Sequence, residues 1–171
     1  VIDMPLSELK QYQGKNPCPE DFDEYWKKAL GQMAATDPNV DIRPADFSCG
    51  FADCYDMYFS GVNNARIYAK LITPKTKKNS PAILSFHGYS AASSEWTQYL
   101  PYAAQGFVVA AMDCRGQGGR SQDNTQTSGT TFHGHIIRGL DDKPENLAFR
   151  QIYLDTAMLA KVVTEMDYVD P

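Results

Sequence analysis

Two short apolar runs dominate the hydrophobic pattern of this chain. Ala82-Ile-Leu-Ser-Phe86 carries no charge, is entered through Pro81 and leaves at Gly88. It predicts a strand buried on both faces of a parallel sheet. Phe107-Val-Val-Ala-Ala-Met112 follows from Gly106 and reads the same way. The segment between them is helical in character, so the unit is strand, crossover, strand. Pro101 cannot sit deep in a helix, which predicts a crossover helix starting near Tyr99 or Leu100 and ending at Gly106. Upstream, Cys54–Phe59 and Arg66–Ile72 are rich in β-formers and flank a hairpin-type connection over 60–65. Phe22, Trp26, Ala29 and Met33 fall on one face at helical spacing, with Trp26 as a packing anchor. Near the end, Leu147, Leu154, Met158 and Val162 form an apolar row that Ile152, Ala160 and Val163 widen. That row predicts a helix packed on the sheet over about 143–166, opened by a capping box at Asp142-x-x-Glu145. Tyr168-Val-Asp-Pro171 stands where another strand would begin.

The fold class is therefore α/β. A chain of 171 residues with 43% hydrophobic content can bury one core. Its formal charge of −5 and lack of any basic block beyond Lys75-Thr-Lys-Lys78 argue against nucleic acid or an anionic membrane surface as partner. No apolar run approaches the ~20 residues of a membrane helix, and Val1-Ile-Asp-Met-Pro5 lacks signal-peptide features. The four cysteines, Cys18, Cys49, Cys54 and Cys114, contain no C-x-x-C pair and read as buried free thiols in a reducing compartment.

In open α/β sheets chemistry gathers at the carboxyl ends of strands. Here those ends carry His87-Gly-Tyr89 and Asp113-Cys-Arg-Gly-Gln-Gly-Gly119. Gly88-Tyr-Ser-Ala-Ala92 has two competing readings. In one, Ser90 is the nucleophile of a degenerate elbow, served by Asp113 and His133 or His135. In the other, His87-Gly-Tyr89 is an oxyanion loop whose Tyr89 N–H meets the developing charge. Ala91, Ala92 and the delayed helix favour the loop. Arg115-Gly-Gln-Gly-Gly119 lacks the spacing of a phosphate cradle, and Arg115 is better suited to holding neighbouring loops through its planar fork. His133-Gly-His135 has metal-ligand residue types but lacks a third ligand nearby. The Gly- and polar-rich stretch 120–140 is long enough to be a functional loop or lid.

His87-Gly-Tyr89, Met112-Asp-Cys-Arg-Gly-Gln-Gly-Gly119 and Gly134-His-Ile-Ile-Arg-Gly-Leu-Asp-Asp142 together strongly resemble the acetyl xylan esterase and cephalosporin C deacetylase family. These are α/β-hydrolases of carbohydrate esterase family 7. Asn16-Pro-Cys-Pro-Glu-Asp-Phe-Asp-Glu-Tyr-Trp26 and Phe149-Arg-Gln-Ile-Tyr-Leu-Asp155 extend the similarity over essentially the whole chain. The resemblance implies a three-layer α/β-hydrolase with a mostly parallel sheet, represented by its N-terminal half. Residues 1–45 would form a helical extension, and residues 46–171 would begin the hydrolase domain with antiparallel first strands. It implies that Tyr89 supplies an oxyanion-hole N–H, that Arg115 and Gln117 brace the nucleophile turn, and that the Ser, Asp and His of the triad lie beyond Pro171. It further implies deacetylation of acetylated oligosaccharides or other small acetyl esters, no metal or organic cofactor, a cytoplasmic location and a homohexamer. A non-catalytic truncated homologue acting as an assembly module is the alternative.

Overall fold

The computed structural model describes residues 3–76, 78–127 and 135–170. After a single helical turn, α1 (Leu6–Leu9), comes α2 (Phe22–Ala34). The strands are β1 (Asp41–Pro44), β2 (Ala52–Ser60), β3 (Arg66–Pro74), β4 (Ser80–Phe86), β5 (Val108–Met112) and β6 (Val169–Asp170). Helix α3 (Trp96–Ala104) joins β4 to β5, and α4 (Ala148–Thr164) precedes β6. The sheet order is β1-β2-β3-β5-β4-β6. Pairing is antiparallel from β1 through β3 to β5 and parallel at β5–β4 and β4–β6. The expected strand–crossover–strand unit is thus β4-α3-β5. The segment read as a helical extension also supplies β1, which pairs with β2.

Alternation along β5 divides two cores. Val108, Ala110 and Met112 join Ile67, Ala69 and Leu71 of β3 beneath α2 and α4. Val109 and Ala111 join Ile72 on the opposite face, beneath Tyr99 and Ala103 of α3. A residue period of two sends neighbours to opposite faces, so β5 can be apolar throughout only because helices cover both sides. All five of its residues are buried.

Three expectations are corrected. β4 is not buried on both faces: most of it is half-buried and Phe86 is 45% exposed. On that edge β6 pairs only with Ser80 and Pro81, and no strand among the described residues covers the rest. Helix α3 begins earlier than Pro101 suggested, at Trp96, with the proline inside it. The missing proline donor is offset by burial of Tyr99 and Ala103 and by Trp96 stacking on Phe47 at 5.8 Å. The long C-terminal helix is broken as well. Pro144–Asn146 form one 3-10 turn, Leu147 turns extended at ψ 123°, and α4 starts at Ala148. Asp142 does not close a capping box around α4. Its carboxylate accepts from the Lys143 N–H at 2.6 Å and the Asn146 amide at 3.1 Å, stabilising the preceding turn instead.

The connection between β2 and β3 holds Ser60 opposite Arg66. It uses Asn63 and Asn64 at positive φ, a conformation asparagine tolerates better than most residues. Trp26 is half-buried, as an anchor should be, in edge contact with Tyr25 and Tyr153.

Candidate active site at the ends of β4 and β5

The two strand ends are built as one unit. From β4 the chain runs into His87, Gly88, Tyr89 and Ser90, with Ser90 at φ 55°. From β5 it runs into Asp113 through Gly119. Gln117 Oε1 accepts the Ser90 N–H at 2.6 Å, and the Gly118 N–H donates to the Ala91 carbonyl at 2.8 Å. A side chain at Gly118 would place Cβ 2.8 Å from the Ser90 carbonyl oxygen. Glycine is therefore what lets the two loops touch.

Asp113 is wholly occupied in this junction. Its Oδ1 accepts from the Ser93 N–H at 2.7 Å and its Oδ2 from the Arg120 N–H at 2.8 Å. Gly119 leaves room for that carboxylate, because a Cβ there would lie 2.1 Å from Oδ2. Lys70 reaches the same loop, donating to Ser93 Oγ at 2.7 Å. Among the described residues Asp113 thus holds backbone and meets no histidine, so its contacts lend no support to the Ser90 elbow reading. The Ser90 hydroxyl has no histidine partner among the described residues. His87 Nε2 accepts the Cys114 N–H at 2.9 Å, and His133 lies outside the described residues. His135 is half-buried and its Nδ1 has no hydrogen-bond partner among the described residues.

Arg115 is 1% exposed. Its Nε and one Nη meet the two oxygens of Asp155 on α4, both at 2.6 Å, and that Nη also donates to the Val62 carbonyl at 3.2 Å. The guanidinium therefore ties the β5 loop to α4 and to the β2–β3 connection. Burial pushes the Asp155 carboxyl up to about 6, against the downward pull of Arg115. Gly61 allows the pair to form, since a Cβ there would lie 2.0 Å from Asp155 Oδ1.

The long segment over 120–140 is anchored at its start. Ser121 Oγ accepts the Tyr68 N–H at 2.8 Å, and the Gln122 N–H donates to the Arg66 carbonyl at 2.8 Å, continuing the edge of β3. Its far end returns through an Arg138–Asp123 ion pair lying against Gly116. Burial opposes ionisation of Asp123, but the Thr125 N–H and Arg138 outweigh it and hold its pKa below the usual value.

Between the loops and α4 lies a cavity of about 260 Å³, lined by His87, Tyr89, Cys114, Gln117, Ile136 and Phe149 among others. Its walls are largely apolar, and it opens beside the exposed Tyr89. The Tyr89 backbone N–H makes no hydrogen bond among the described residues. Cys114 is buried, and burial first, then Asp155 and Asp113, push its thiol up to about 11. It is a wall rather than a nucleophile at neutral pH. Among the described residues no group of three or more His, Cys, Asp or Glu could hold a metal ion, and no helix is long and apolar enough to cross a membrane.

The structure brings Tyr89 and Gln117 together at this cavity and sets Arg115 behind them. Sequence reasoning missed the imidazole of His87 and the carboxylate of Asp155. A charged residue on the apolar side of a helix, as Asp155 is within Leu154–Met158, was the available signal for the second.

A mixed sheet of this order, a crossover pair with helices on both faces, and interlocked loops at the strand ends define an α/β-hydrolase fold. The chain belongs to the acetyl xylan esterase family: it matches the acetyl xylan esterase (AXE1) family over residues 1–171. It is similar to acetyl xylan esterase 1 of Thermoanaerobacterium sp. JW/SL YS485, with 55% identity and a TM-score of 0.94 over 99% of this chain and 53% of that one. An acetyl xylan esterase of Paenibacillus sp. R4 aligns at 27% identity and a TM-score of 0.88, over 98% of this chain and 54% of that one. Acetyl esterase Axe7A of Xylanibacter ruminicola is 28% identical over 152 residues, 85% of this chain and 34% of that protein. The chain thus spans between a third and about half of these relatives' lengths.

Proposed function

We propose that this chain carries the oxyanion-stabilising part of a serine esterase that removes acetyl groups from small acetylated substrates, with xylo-oligosaccharides and related esters such as cephalosporin C as the substrate class. The observation that carries the reading is the Tyr89 N–H, without a hydrogen-bond partner among the described residues and held at the end of β4 on a loop braced by Gln117, beside an apolar cavity. A donor fixed before reaction stabilises charge that develops on a carbonyl oxygen without reorganisation at the moment of attack. The apolar wall of Ile136, Phe149 and Ile152 makes one side of the site non-polar, which strengthens that interaction once a substrate covers the other.

The nucleophile, acid and base lie outside residues 1–171 in this reading, because among the described residues Ser90 has no histidine partner and Asp113 accepts backbone N–H groups. A serine would attack the acetyl carbonyl with histidine as base, and the tetrahedral oxyanion would accept from the Tyr89 N–H. Water would then release acetate. Arg115 and Gln117 act through the loops they hold. The family resemblance supports assembly as a homo-oligomer, a hexamer, in the cytoplasm.

Replacing Tyr89 with proline deletes the donor while leaving the trans backbone. In the esterase containing this chain, Tyr89→Pro lowers turnover of p-nitrophenyl acetate by about 10²–10³, the cost of one oxyanion donor. Wild-type turnover in that variant removes Tyr89 from the mechanism. Intact mass after a fluorophosphonate serine reagent locates the nucleophile, and a label on Ser90 overturns its assignment outside this chain.

A further inference from the structure

We infer that His87 is the residue that aims the Tyr89 N–H, acting as a latch between the two strand-end loops. The inference rests on the reading of Tyr89 as the oxyanion donor. The two ring nitrogens of His87 have different partners. The Cys114 N–H donates to Nε2 at 2.9 Å, so Nε2 carries no hydrogen. The proton therefore sits on Nδ1, which lies 2.8 Å from the Gly88 carbonyl and donates to it. The Ala91 N–H donates to the same carbonyl at 3.2 Å.

That carbonyl belongs to the peptide unit whose other end is the Tyr89 N–H. The chain has no cis peptide bonds among its described residues, and a trans peptide points its C=O and N–H in opposite directions. Fixing the Gly88 oxygen from two sides therefore fixes where the Tyr89 N–H points. It also polarises the amide, since a carbonyl that accepts hydrogen bonds leaves its own N–H a better donor. Gly88 has open space where a side chain would stand, so no side chain of its own packs to hold this peptide, and the shorter of the two bonds to its carbonyl comes from the imidazole. Through Nε2 the orientation is referred to the first residues after β5. The 8% exposed Cys114 contributes its backbone, not its thiol. His87 is a positioning residue: it touches the peptide that touches the substrate.

The Nδ1–H tautomer is the first test. In the ¹⁵N-labelled chain, long-range ¹H–¹⁵N correlations should show His87 with a protonated Nδ1 and a bare Nε2, assigned by the signals lost in His87→Gln. An Nε2–H tautomer overturns the latch. Kinetics form the second test, in the esterase containing this chain with p-nitrophenyl acetate as substrate. His87→Ala should lower kcat by about ten- to hundredfold with KM nearly unchanged, because a misaimed donor loses part of what a deleted one loses. His87→Asn, whose side-chain amide nitrogen can replace Nδ1, should recover most of that loss. Equal defects in the Ala and Asn variants, or wild-type kcat in His87→Ala, overturn the proposal. If the wild-type protein does not hydrolyse the ester, the esterase reading fails by itself, and the tautomer and amide exchange decide the latch. Exchange of the Cys114 amide about tenfold or more faster in His87→Ala supports it, and unchanged exchange overturns it.

Discussion

Replacing Arg115 with methionine takes a guanidinium from a place where no water reaches it. Arg115 and Asp155 have side chains 1% and 0% exposed, and two contacts of 2.6 Å join them. Removing one partner of such a pair costs about 3–5 kcal/mol, because the other charge is left buried without compensation. For a domain of this size each kcal/mol moves Tm by roughly 2–4 °C, so Arg115→Met should melt about 6–20 °C lower by circular dichroism. The loss should depend on pH. Asp155 has a folded pKa of about 6, above the ~3.9 of an unfolded aspartate. Its own contribution to stability is therefore full below the unfolded value and lost as pH rises through about 6. Without Arg115 that folded pKa climbs further, and the acid form needs no counter-charge. The deficit of the variant relative to wild type should thus be largest near pH 8 and narrow by pH 5. Adding Asp155→Leu should restore most of the stability, since well-packed apolar residues often replace a buried pair at little cost. A deficit under about 1 kcal/mol at pH 8, or one that does not narrow in acid, would refute the claim that desolvated charge dominates here.

Gly119→Ala pushes a Cβ to 2.1 Å from Asp113 Oδ2 and should cost about 1–3 kcal/mol in urea unfolding; a neutral substitution would show that Asp113 does not hold the Ser93 and Arg120 amides as described. Thiol reactivity should divide sharply. Cys18 is exposed, not buried as the sequence suggests, and should be alkylated by iodoacetamide in the native protein, whereas Cys54 and Cys114, both buried and with pKa values pushed up to about 11, should react only on unfolding. Fast native labelling of Cys114, read by peptide mass spectrometry, would contradict its place in the cavity wall.

Most strands were legible because burial leaves a mark in composition, whereas β1, mostly exposed, left none and fell within the expected helical extension. β5 is apolar at every position, β2 alternates, and β3, across an Asn-rich turn, is buried at most of its positions. β4 was legible as a strand but not in its burial, because a run such as Ala-Ile-Leu-Ser-Phe reports what a strand can bury, not which neighbours cover it. The helix boundaries failed for local reasons. Pro101 was given more weight than the stacking of Trp96 on Phe47 and the burial of Tyr99, which are tertiary. The capping-box pattern at Asp142 was satisfied by a 3-10 turn with the same residue types. Tyr89 and Gln117 stood out because they sit in glycine-rich strand ends, where only close backbone approach justifies so little side chain. Their connection did not, since it is one hydrogen bond between a side-chain amide and a backbone N–H 27 residues away.

The same reasoning explains how stability and the site are joined. β4 is only half-covered along most of its length, yet the loop that leaves it carries the Tyr89 N–H. Its rigidity cannot come from strand burial alone. It is imported from β5, whose five residues are all buried, through three ties: Cys114 N–H to His87, Gln117 to the Ser90 N–H, and Asp113 to the Ser93 N–H. The β5 loop is held in turn by the Arg115–Asp155 pair from α4. Two of these ties end on the backbone of the β4 loop and the third reaches it through the His87 imidazole, so together they fix the path of that loop. That is the property an oxyanion-type donor needs, since its reacting group is itself backbone and its effect depends on being in place before charge develops.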